Sequence, residues 1–268
     1  MSRYQEAYTR VTGRPAPAAA ATLDTLFDQI AAGKTLPPKA QQAVALGLTA
    51  HSLNDAKENP GLFDYYRWVL THCFAAKQIN ELTAKLIGMA FTSANIFQTE
   101  LPQPITLNPW QIQAMLAFPL AAAKAVVIEN NGVFALLHQH HPDWPLIVQS
   151  GNDFNPAYVQ LLQRLEKRGV QFAYIGDLDS RGIQMADHFY TQLQQTPIET
   201  VTALQPPVVV ARWVTLYGKP DTHRTRSLTI QHPIYQQELA TIHLQGKFVE
   251  QEQLIDDYER MIPAWLAN

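Results

Sequence analysis

Two aspartates stand one residue apart in "FAYIGDLDSRGIQMA". Asp177 and Asp179 follow the apolar run 172–175, with Gly176 before them and Gly182 after. A third carboxylate, Glu129, ends another apolar run, "KAVVIE". Such residues can do two kinds of work. An Asp ahead of a helix caps it, and acidic groups suit the positive end of the helix dipole. Alternatively, carboxylates that converge repel one another and titrate abnormally unless a cation joins them. Mg²⁺ fits that second role, since it takes hard oxygen ligands, keeps several waters and often uses only one or two carboxylates. A site of this kind suits phosphodiester chemistry, with the metal activating water or stabilising the leaving oxygen. On extended backbone an i, i+2 pair faces one side, so both aspartates could join the site; in a helix only one could.

The elements that must position these groups are legible as alternating patterns after residue 105. "KAVVIE", "PLIVQSG" and "QFAYIGD" are short apolar runs, and "VFALLHQHH", "NPAYVQLLQRLEKRG" and "SRGIQMADHFYTQLQQ" are helical patterns between and after them. "IETVTAL" reads as a fourth strand. Strands alternating with helices of this length imply βαβ units and a mostly parallel sheet. Ligands bind such sheets beyond the carboxyl ends of the strands. Three runs end there in polar groups: Glu129, Ser150 with Gly151, and Asp177 with Asp179.

Residues 1–104 read as a helical region, with Leu23, Leu26, Phe27 and Ile30 at helical spacing and Tyr65 and Tyr66 as core aromatics. The proline-interrupted stretch "TELPQPITLNPWQI" marks the boundary, with a helix from Pro109 to about Leu120. The second domain, 105–268, is α/β with a C-terminal helical extension.

The net charge of −3 excludes a uniformly basic nucleic-acid binder but not a local basic groove. The sole cysteine, Cys73, excludes an intrachain disulfide and a multi-thiolate zinc site. No apolar run approaches the roughly 18 residues of a spanning helix. A soluble cytoplasmic protein without a membrane partner is the expectation. "ARWVTLYGKPDTHRTRS" gathers Arg212, Lys219, Arg224 and Arg226, which suit DNA phosphates, although a polar loop with a few cations is ordinary. Trp213 reads as packing. The histidines of "HQHH", the Asp187–His188 pair and "IDDYER" read as solvated helix surface.

"VVIENNG", "PLIVQSG" and "YIGDLDSRGIQMA", in this order, resemble a Toprim domain, the fold that carries the metal sites of topoisomerases and bacterial primases. The fuller pattern is similar to the JetD-like proteins, nuclease subunits of Wadjet plasmid-defence systems, and more distantly to topoisomerase VI A subunits. The resemblance covers roughly residues 105–260. It implies that Glu129 is a metal ligand or general acid/base and that Asp177 and Asp179 are metal-binding aspartates. It further implies that Glu250 or Glu252 of "FVEQEQL" completes the site. The function so implied is a Mg²⁺- or Mn²⁺-dependent DNA endonuclease in plasmid or phage defence, working with an SMC-like motor complex and as a homodimer. The chain departs from that pattern in being short, in lacking a recognisable winged helix and in marking no tyrosine as a nucleophile, so metal-activated water is the expected attacking group. Two other readings stand beside it. One is a non-catalytic DNA- or partner-binding subunit of the same fold. The other is an aspartate-dependent phosphohydrolase of the haloacid dehalogenase type, which normally has its nucleophilic Asp on the first strand; here the pair follows the third run.

Overall fold

The computed structural model describes residues 1–75, 79, 81, 91–149 and 154–267. The chain divides into two compact units, Met1–Ala84 and Lys85–Asn268. No helix among the described residues is long and apolar enough to cross a membrane.

The first unit is helical where described. Helix α1 (Arg3–Thr12) starts at a capping box between Ser2 and Gln5 and stops at Gly13, whose φ of 70° is left-handed. Helices α2 (Asp24–Ala31), α3 (Lys39–Ala45) and α4 (Pro60–Cys73) follow, the last opened by Asn59 as cap and Pro60 in its first turn. Leu23, Leu26, Phe27 and Ile30 are buried as their spacing requires, against Tyr4, Tyr65 and Tyr66.

The second unit is built on a five-stranded sheet. Its strands are β1 (Phe91–Ala94), β2 (Ile105–Leu107), β3 (Lys124–Ile128), β4 (Leu146–Val148) and β5 (Gln171–Ile175), in the order β2-β1-β4-β3-β5. Strand β3 pairs in parallel with β4 and β5, as the βαβ reading requires. Strand β1, however, runs antiparallel to both β4 and β2. The sheet is therefore mixed, which corrects the expectation of a mostly parallel one. The same pairing corrects the domain division at 104/105. The proline-rich stretch is no linker; it lies between two hydrogen-bonded strands of one sheet, so the α/β unit begins before residue 105. The helix expected from Pro109 to about Leu120 is a 3₁₀ turn followed by α5 (Ile112–Met115) only.

Helices α6 (Asn131–His140), α7 (Pro156–Lys167) and α8 (Ser180–Gln192) follow β3, β4 and β5. The fourth expected strand is a helix, α9 (Ile198–Val201), begun after Pro197. Its Ile198 and Val201, three apart, are both buried, a spacing that puts them on one face of a helical turn. Then come α10 (Pro207–Tyr217), β6 (Lys219–Pro220), α11 (Pro233–Gln245), β7 (Lys247–Phe248) and α12 (Ile255–Ala267), with β6 and β7 antiparallel. Trp213 is fully buried, as expected.

Two of the three solvated-surface expectations fail in part. Asp187 is buried and accepts the backbone N–H groups of Gln231 (2.8 Å) and His232 (2.9 Å) at the start of α11. The histidines do end α6 at the surface, with His140 exposed; His140 Nδ1 and His141 Nε2 stand 2.8 and 3.0 Å from Glu259 Oε1 on α12. In "IDDYER", Asp257 and Tyr258 are buried.

Candidate carboxylate site at the sheet edge

Glu129 and Gly176 are the first residues beyond two adjacent parallel strands, because the register pairs Ile128 with Ile175. Glu129 donates its backbone N–H to the Ile175 carbonyl (3.1 Å), and its Oε2 accepts from the Asp177 N–H (3.2 Å). The strand after Gly176 does not end abruptly. Leu178 forms an isolated antiparallel bridge with Val249, exchanging hydrogen bonds of 2.8 and 3.1 Å. That bridge places 249–252 beside 177–179, so Glu250 and Glu252 arrive next to the aspartates although they are distant in sequence.

Asp179 does both things its type allows. One carboxylate oxygen, Oδ1, accepts from Arg181 N (3.0 Å) and Gly182 N (2.8 Å) and caps α8. The other, Oδ2, accepts from Arg224 Nε (2.8 Å). Its φ of −131° and ψ of 175° are extended, and Asp177 turns to the same side. Asp177 Oδ2 lies 3.4 Å from Arg224 and Oδ1 accepts the Gln251 N–H (2.8 Å). Arg224 also donates to Glu250 Oε1 (3.0 Å), and Lys219 Nζ is 3.6 Å from Glu250 Oε2. Asn130 caps α6 with its oxygen and gives its amide N–H to Glu252 Oε1 (2.9 Å). Among the described residues the edge thus holds the carboxylates Glu129, Asp177, Asp179, Glu250 and Glu252 and the cations Arg224 and Lys219.

Burial sets the electrostatics of these acids first, and the neighbouring carboxylates add to it. Burial, then the nearby Asp177 charge, pushes Glu129 up to about 8, and the same two causes push Glu252 up to about 8. Asp177 rises to about 6, through burial and then Asp179, with the Gln251 N–H and Arg224 offsetting part of the rise. Two glycines permit the approach. A Cβ on Gly176 would stand 2.6 Å from Glu129 Oε2, and one on Gly182 would stand 2.1 Å from the Asp177 carbonyl oxygen.

All five predicted acidic residues therefore meet at one edge. Ser150 and Gly151, the polar end of the second run, lie outside the described residues. The four cations separate. Arg224 and Lys219 turn onto the carboxylates in place of a phosphate, because β6 and the Leu178–Val249 bridge draw their segment over the site. Arg212 and Arg226 are exposed. Sequence reasoning missed Arg224 as a member of the cluster, and also Gln205. The Gln205 side chain clamps Gly176, accepting from its N–H and donating to its carbonyl, each at 3.0 Å. Neither carries a local signal, since each reaches its partners across tens of residues. Asn130 was missed as well, although an Asn at a strand-to-helix turn is a local capping signal.

Among the described residues no group of three or more His, Cys, Asp or Glu stands in metal-ligand geometry. The chemistry of the donor set nevertheless suits a hard divalent cation. Every candidate donor atom is a carboxylate oxygen, and burial first, then neighbouring acids, hold Glu129, Asp177 and Glu252 above their ordinary range.

Residues 105–204 match the family model described as "Protein of unknown function C-terminus (DUF2399)". That span contains Glu129, Asp177 and Asp179; Arg224, Glu250 and Glu252 lie beyond it. No curated protein matches the chain.

Proposed function

We propose that the chain is a divalent-metal-dependent phosphodiesterase of the Toprim type acting on DNA. One observation carries the reading: acids from the ends of two adjacent parallel strands and from the C-terminal "EQE" segment converge at one sheet edge with more negative charge than local cations offset. Glu129 and Asp177 would hold Mg²⁺ or Mn²⁺, with Glu252, Asp179 and Glu250 around them. Bound there, the metal supplies activation of water and neutralisation of phosphate charge. The chain's own contribution is proton handling and positioning. Without metal, burial and then Asp177 hold Glu129 up to about 8, so a cation held there would release its proton near neutral pH. The caps and backbone hydrogen bonds on Asp177 and Asp179 fix the remaining oxygens.

The likeness of these motifs to JetD-like proteins extends the proposal to plasmid or phage defence, a cytoplasmic location, an SMC-like motor partner and a homodimer. The exposed Arg212 and Arg226 are candidates for DNA contact. The test is incubation of supercoiled plasmid with the purified protein and Mg²⁺ or Mn²⁺, beside E129Q. Nicking or linearisation that E129Q loses by about a hundredfold or more supports the reading. Metal binding with DNA binding but no cleavage favours the non-catalytic subunit. A covalent phospho-aspartate at Asp177 favours the phosphohydrolase.

A further inference from the structure

The Arg224 guanidinium occupies a position that a bound cation would contest. Its nitrogens reach Asp179 at 2.8 Å, Glu250 at 3.0 Å and Asp177 at 3.4 Å, three acids from two separate segments. Its Cζ lies 3.9 Å from the centre of the Phe248 ring. Its backbone is tied down independently. The Arg224 carbonyl accepts from Ser180 N (2.9 Å), the Arg226 carbonyl accepts from Ser180 Oγ (2.5 Å), and Asp221 accepts the Arg224 N–H (3.1 Å). The side chain can therefore leave the carboxylates by rotating about its own bonds while the loop stays in place. It is also reachable, since 21% of the Arg224 side chain and 26% of the Asp177 side chain face solvent.

We propose that Arg224 is the built-in counter-ion of this site and that a divalent cation binds by displacing it. The proposal rests on the metal-site reading above and adds how that site is regulated. Two cations sharing Asp177, Asp179 and Glu250 would repel across a few ångströms, and the carboxylate lone pairs that Arg224 uses are ones a metal needs. Arg224 thus keeps the acids assembled without metal and sets the concentration at which metal enters. A guanidinium suits this better than an ammonium, because its fixed fork can bridge several carboxylates at once.

The test is Mn²⁺ affinity by calorimetry for the full chain, R224Q and R224K, with thermal denaturation of each with and without Mn²⁺. R224Q should bind Mn²⁺ at least about tenfold more tightly than wild type. Its unfolding midpoint should be lower without metal and rise more on adding it. R224K, which keeps the charge but not the fork, should fall between the two. If R224Q does not fold without metal, R224K alone decides, tighter binding than wild type supporting exchange. Equal or weaker Mn²⁺ binding by both variants overturns the exchange and leaves the metal site standing. Absence of Mn²⁺ binding in all three proteins removes the metal site and this inference together.

Discussion

At the residue scale, the site is a problem in charge compensation, and single substitutions separate its parts. Asp179 serves the α8 cap with one oxygen and Arg224 with the other. D179S keeps a capping oxygen and D179A removes it, so D179A should be less stable than D179S by about 1 kcal/mol, read from denaturant unfolding. Both should lose the arginine contact. Glu238 tests burial without the cluster's cations. It is 3% exposed on α11, its Oε1 has no hydrogen-bond partner, and burial pushes it up to about 8. With Tyr174, Gly176 and Asp177 it lines a cavity of about 10 Å³, the size of one water. Because its folded pKa lies above the unfolded value of 4.5, its neutral form favours folding below pH 4.5. That contribution is lost as pH rises through about 8. E238Q should therefore match wild type near pH 5 and exceed it by about 1–3 kcal/mol above pH 8, measured as unfolding free energy against pH.

At the element scale, the site depends on how closely strand ends and helix starts can meet. An alanine at 182 would drive its Cβ to 2.1 Å from the Asp177 backbone oxygen, with main chain rather than a flexible side chain in the way. G182A should cost about 2 kcal/mol or more by chemical denaturation and weaken Mn²⁺ binding. The Leu178–Val249 bridge is the other joint. V249P removes one of its two hydrogen bonds, so it should detach the "EQE" segment and lower metal affinity while leaving β3 and β5 paired. Much of this scale was legible in the sequence. The alternation from "KAVVIE" onward places β3, β4, β5 and the helices after them, and the i, i+2 aspartates on extended backbone face one side as the period requires. What was not legible arises from contacts without local pattern. A four-residue strand such as "FTSA" carries too little periodicity to stand out beside a proline-rich turn, and "IETVTAL" is too short for its apolar spacing to separate strand from helix. The Arg224 contacts are set by a bridge between residues 178 and 249, which no window of neighbouring residues contains.

At the scale of the whole molecule, the chain pairs a helical unit with an α/β unit whose mixed sheet gathers acids at the carboxyl ends of β3 and β5. The proposed function requires these acids to assemble around a divalent cation. Anomalous diffraction from crystals grown with Mn²⁺ tests it most directly. A manganese peak in contact with Glu129 and Asp177 is expected, with the Arg224 guanidinium turned away from Asp177. Well-ordered crystals at saturating Mn²⁺ with no peak at the sheet edge, and Arg224 still bridging Asp177, Asp179 and Glu250, would contradict it.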